Sequence, residues 1–90
     1  MRIALIAIDK PNAQSLRLDN RAAHLAYVAD TGVVELAGPF LDGDGNMTGS
    51  LLVLVLDNMS DAENWAANDP YAKAGLFESV SLREWKKVIG

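Results

Sequence analysis

The 90-residue chain holds one histidine and no cysteine. Side-chain proton transfer near neutral pH therefore falls first to His24, since imidazole is the side chain that ordinarily titrates in that range. His24 lies in RAAHLAYV, residues 21–28, one helical turn after Arg21. Residues three apart on a helix share a flank, so Arg21 and His24 point the same way. An imidazole where a helix flank meets a sheet edge or loop is half dry and half wet, a setting suited to general acid–base work, and the neighbouring guanidinium offers a planar anion a fork of donors. The plainer alternative is a solvated helix histidine beside a solvated arginine. A carboxylate able to orient the ring stands in NDPYAKAGLFE, where Asp69 precedes Pro70. The proline pushes Asp69 towards an extended conformation, so its carboxylate projects from a loop. Ordinary turn chemistry accounts for an Asp-Pro pair as well.

Other chemistries are excluded or weakened by the same inventory. Without cysteine there is no disulfide, no thiolate nucleophile and no Cys-bound zinc, and a single histidine rules out a multi-histidine metal site. LDGDGN looks like a calcium loop, with Asp42, Asp44 and Asn46 at alternate positions, but Met47 stands where the loop needs glycine and Val53 where it needs a bidentate glutamate. It reads as a hairpin turn. Its glycines also miss the G-x-G-x-x-G phosphate pattern, because in a motif starting at Gly43 the sixth position is Thr48. No metal or cofactor is therefore expected. Eight basic residues against twelve acidic ones give a net charge of −4. The basic residues are scattered from Arg2 to Lys87, and nucleic-acid binding needs a concentrated basic face. The N-terminal MRIALIAIDK has a short apolar run that stops at Asp9, with neither the cleavage site nor the length of a secretory leader, and nothing approaches the roughly 20 apolar residues of a membrane span. A cytoplasmic protein is expected, in which the N-x-S/T triplets at Asn46 and Asn58 carry no meaning, and Trp65 and Trp85 serve packing.

These residues need elements to position them. Residues 2–9 read as a strand, and KPNAQS breaks the pattern with a proline that cannot donate to a ladder. From about Leu16 to Thr31 the residues Leu18, Ala22, Leu25 and Ala29 recur at helical spacing as one apolar stripe, with Arg17, Arg21, His24 and Val28 on the flank beside it. Gly32 suits a left-handed C-terminal cap. VVELA, residues 33–37, forms a second strand ending at Gly38-Pro39, and turn-forming residues lead to a third strand in SLLVLVLD, so the two pair as a hairpin. Ser60-Asp61-Ala62-Glu63 matches a capping box, which starts a second helix carrying Trp65. NDPYAKAG holds one further short turn of helix, and residues 76–83 return as a fourth strand. The order βαββαβ over a single domain, residues 1–90, gives an α+β, ferredoxin-like fold: a four-stranded antiparallel sheet with two main helices on one face. The first and third strands are apolar on both faces, in the sets Ile3, Leu5, Ala7 against Ala4, Ile6, Ile8 and Leu51, Val53, Val55 against Leu52, Leu54, Leu56. Two helices cannot cover both. The economical cover is a second copy of the sheet, packed face to face in a homodimer.

R-x-x-H-L in the first helix, AGP after the second strand, D-x-x-G-x-x-x-G-S entering the third, and WAANDPYAKAGLFE near the end together resemble the YciI-like family, small proteins of the dimeric α+β barrel group. The resemblance covers nearly the whole chain in the right order, and DPY-x-x-AG-L/V-F/Y is its most specific part. It implies a ferredoxin-like fold whose sheets pack into a dimeric barrel. It also implies a His–Asp active site carried by His24 and Asp69, with Arg21, Ser50, Gly38 and Pro39 lining the same cleft. The chemistries it suggests are cofactor-free proton transfers or eliminations on small, often aromatic, molecules. A lyase- or isomerase-type acid–base enzyme is one expectation, with Arg21 holding an anionic or enolate oxygen and Ser50 donating near the reacting carbon. The other is a non-catalytic dimer that binds a small metabolite or another protein, in which Arg21 and His24 clamp a carboxylate. Turnover separates the two.

Overall fold

In β1, Arg2–Asp9, side chains alternate between two faces: Ile3, Leu5, Ala7 and Asp9 are buried, while Ile6 and Ile8 are exposed on the other side. The computed structural model describes residues 1–90. After β1 come α1 (Gln14–Thr31), β2 (Val34–Leu41), β3 (Met47–Val55), α2 (Met59–Asn68), α3 (Pro70–Lys73) and β4 (Phe77–Trp85). The strands form one antiparallel sheet in the order β2-β3-β1-β4, the βαββαβ ferredoxin-like α+β plan with a short third helix added. Register sets the faces. Ile3, Leu5 and Ala7 stand opposite Leu54, Leu52 and Ser50, and this side packs against the helices. Ala62 and Trp65 of α2 complete the core, and Tyr27 of α1 ties the two helices together by donating its hydroxyl to the Trp65 carbonyl at 2.8 Å. The opposite face carries Ile6, Ile8, Leu36 and Val55, all exposed, around a central Val53.

Among the differences from the sequence reading, three concern where an element begins or ends and one concerns which side of a helix is buried. β2 does not stop at Gly38-Pro39 but runs through them to Leu41, with Pro39 opposite Ser50. It is an edge strand, where a missing N–H costs no ladder bond. α1 starts at Gln14 rather than Leu16, and Gly32 closes it in the expected left-handed conformation, φ 66°. The second helix begins at Met59, capped not by Ser60 but by Asn58, whose side chain accepts from the Asp61 N–H at 2.8 Å. The fourth correction concerns which side of α1 is inside. The apolar stripe of Leu18, Ala22, Leu25 and Ala29 is exposed, whereas Arg17 and His24 on the flank are buried. The LDGDGN segment is the β2–β3 hairpin turn. The Asp42 carboxylate accepts from the N–H groups of Asp44 and Asn46, at 2.8 and 2.9 Å, and these bonds hold its pKa below the usual carboxylate range.

Candidate active site

Asp69 sits at the joint between α2 and α3 with φ −60° and ψ 128°, the extended backbone that a following proline imposes. Its Oδ1 accepts from the Tyr71 N–H at 2.9 Å, capping α3, and lies 2.8 Å from His24 Nδ1 on α1. An ionised carboxylate only accepts, so His24 donates from Nδ1 and its Nε2 is left free. The pair is closed off from solvent: Asp69 is 2% and His24 7% exposed. Tyr71, on the same α3 turn, stacks its ring on the imidazole at 4.0 Å between centroids and 12° between planes. Turn chemistry and ring orientation are thus two uses of one carboxylate.

A second buried polar cluster adjoins the first. Asp9 ends β1 in phase with Ile3, Leu5 and Ala7, and a register shift in the β1–β4 pairing falls between Ile8 and Asp9. Bulges of this kind re-aim side chains beside functional clefts. The Asp9 carboxylate receives Arg17 Nε at 2.7 Å and Nη2 at 3.0 Å, and Nη2 also donates to Ser50 Oγ at 2.9 Å. The Arg17 guanidinium carbon lies 4.8 Å from the Tyr71 ring centroid. Burial works against the Arg17 charge, but the Asp9 hydrogen bond and charge outweigh it, so the guanidinium is held more firmly protonated than usual. Burial likewise raises the Tyr71 phenol, opposed by the charges of Arg17 and Arg21, so the hydroxyl keeps its proton at neutral pH. Removing either member of a buried ion pair typically costs about 3–5 kcal/mol, because the other is left uncompensated.

Both clusters open on one cavity of about 190 Å³ between α1 and the β2–β3 end of the sheet. Its lining brings together Arg21, His24, Ser50, Gly38 and Pro39, five of the six residues singled out from sequence, while Asp69 stands behind His24. Leu25, Met47 and Leu52 supply apolar wall, and Arg21 is exposed at the rim. Arg17, Asp9 and Tyr71 were not among the predicted site residues. Asp9 ending a strand in buried phase, and Arg17 seven residues before His24, were the signals that could have marked them. A cavity of roughly 150 Å³ is enough to hold benzene, so this one suits a single substituted ring or a molecule of that size.

The sequence of this chain matches the YCII-related domain over residues 1–86. The chain belongs to the YCII-related family. Protein YciI of Escherichia coli O6:H1 is 36% identical, with 99% of this chain and 100% of that protein aligned. An uncharacterized protein of Haemophilus influenzae is 32% identical with the same coverage. Among solved structures, the 5-chloro-2-hydroxyhydroquinone dehydrochlorinase TftG of Burkholderia phenoliruptrix AC1100, in complex with 2,5-dihydroxybenzoquinone, superposes with a TM-score of 0.89 at 34% identity, covering 96% of this chain and 94% of that one. An antibiotic biosynthesis monooxygenase has the same fold at 10% identity and a TM-score of 0.56, covering 96% of this chain and 98% of that one. The YCII-related fold is therefore shared well beyond recognisable sequence similarity.

Proposed function

We propose that this YCII-related protein is a cofactor-independent acid–base enzyme acting on a small, planar, oxygen-bearing molecule, with His24 as the proton acceptor. The observation that carries this reading is the 2.8 Å contact between His24 Nδ1 and buried Asp69, which leaves Nε2 free in a residue lining the cavity. Asp69 fixes the tautomer. Nε2 takes a proton from carbon next to a carbonyl or from a ring hydroxyl, and the freed electron pair moves onto the substrate oxygen. When a leaving group stands next to the carbanionic centre, return of that pair expels it, and the net change is loss of HX. Arg21 at the rim holds an anionic oxygen, and Ser50 donates a hydrogen bond inside. The similarity to a dehydrochlorinase solved with a dihydroxybenzoquinone supports a small-molecule substrate of ring size. The exposed apolar sheet face supports a homodimer with the two sheets packed together.

The test is chloride release from 5-chloro-2-hydroxyhydroquinone by the wild-type chain and by His24→Ala. Release well above the uncatalysed rate, falling by roughly 10²-fold or more in the variant, is the expected result, the scale of a lost general base. Equal rates in the two proteins would contradict a base role for His24. Saturable binding of the same compound without turnover would favour the non-catalytic binding dimer.

A further inference from the structure

Met47 stands where three cavities meet. One is the cavity of about 190 Å³ that His24 lines; a second, of about 340 Å³, is lined by Lys10, Asn12 and Asp42; a third, of about 180 Å³, is walled by Gln14, Leu18, Gly45 and Asn46. Met47 alone lines all three. A break in the sheet register puts it there. Phe40 pairs with Gly49 but Leu41 pairs with Met47, so β3 carries one extra residue, Thr48, at that point. Leu41 is in phase with Ala37 and Pro39, which line the site cavity, and residues directly opposite each other share a face of the sheet. The extra residue therefore turns Met47 to the cavity side, where strict alternation from Ser50 would put Thr48. Between the site cavity and the third cavity the shared wall is Arg17 and Met47. The two differ in freedom. Arg17 is fixed by two bonds to Asp9 and one to Ser50, whereas Met47 is half-buried and carries an unbranched thioether that fills irregular gaps without a fixed partner.

We propose that Met47 is a specificity-determining residue of the His24 site: its side chain closes the site cavity off from the third cavity and limits the ligand to ring size. This deepens the proposed function and rests on it. With Met47 shortened, the two cavities join beside Arg17, and the room added is nearly as large as the site cavity itself. The chemistry of the added walls sets what they take. Leu18 is aliphatic, Gln14 and Asn46 carry uncharged amides, and the one charged lining group, Arg17, is already neutralised by Asp9. The enlarged site therefore takes a ring bearing an uncharged, largely apolar tail, and the intact one takes the ring without it.

Binding of phenol, 3-butylphenol and 4-butylphenol to wild type, Met47→Ala and Met47→Leu tests the partition, with the His24 ring NMR signals reporting that a probe occupies this site. The wild type should bind phenol at least as tightly as either butylphenol. Met47→Ala should reverse that order for one or both butylphenols. Each methylene newly buried is worth about fourfold in affinity, so a gain of roughly tenfold or more over phenol is expected. Met47→Leu keeps the volume of the wall and should keep the wild-type order. A purely structural role for Met47 would weaken all three probes together and leave their order alone. An order unchanged in Met47→Ala, or a wild type that already prefers a butylphenol, with phenol still shifting His24, would overturn the partition and leave the small-molecule site standing. His24 signals unmoved by every probe in all three proteins would overturn both.

Discussion

At the scale of single residues, the site depends on carboxylates that each satisfy a buried partner on another element of the fold. Asp69 serves α3 as a cap and His24 as an orienter, and Asp9 serves Arg17. Arg21 differs from Arg17 in having no carboxylate partner and an exposed side chain at the cavity rim. Its fork is free for a ligand. Arg21→Lys should therefore weaken anionic ligands by about one to two decades, since a compact ammonium cannot reproduce two parallel donors, while leaving thermal stability unchanged. Thermal-shift titration with an anion and its neutral isostere checks this. Equal stabilisation by both compounds in both proteins would make Arg21 a plain surface residue.

At the scale of elements, the strands were more legible than the long helix. Alternation sorted the apolar side chains of β1 and β3 into two faces, because strand period is a strict two. α1 was read with its apolar stripe as the one to bury, but periodicity marks a stripe without saying where it faces. Leu18 and Leu25 are exposed, and the inward side carries Arg17, His24 and Tyr27. Burying that polar side is possible only because Asp9 and Asp69 meet it, and those pairings span 8 and 45 residues of sequence. No local pattern contains them. The His24–Asp69 pair itself was legible through the family resemblance, whereas the Arg17 cluster was not. The placement of Ser50 on β3 depends on its neighbour Gly49, where a Cβ would stand 2.4 Å from the Ala7 carbonyl oxygen. Gly49→Ala must push β1 and β3 apart there. A loss of about 1–3 kcal/mol in stability, the usual cost of overpacking, is expected in denaturant unfolding, and an unchanged midpoint would show that the two strands separate freely.

At the scale of the whole molecule, two properties follow from what is covered and what is not. Burial raises the pKa of Tyr71 and of Tyr27, the latter with help from the Asp69 charge. The fold therefore holds these protons more tightly than the unfolded chain does. The stability this gives is intact below the ordinary tyrosine pKa of about 10 and is lost as pH rises through the folded values. Tyr71→Phe should flatten part of that alkaline decline in melting temperature, and an unaltered decline would remove Tyr71 as a cause. The uncovered side is the sheet face with Ile6, Ile8 and Leu36. Sedimentation at micromolar concentration should give the mass of two chains, and Ile6→Asp should give a folded single chain. A wild-type mass of one chain would refute the face-to-face dimer. The central claim, that the fold assembles a proton acceptor facing the cavity, is tested most directly by the ¹⁵N NMR signature of the His24 ring in its neutral form. The account predicts a proton on Nδ1, held by Asp69, with the Nε2 lone pair free, and loss of that tautomer preference in Asp69→Asn. A proton on Nε2 in the wild type would leave His24 nothing with which to accept a proton from a ligand, and would contradict it.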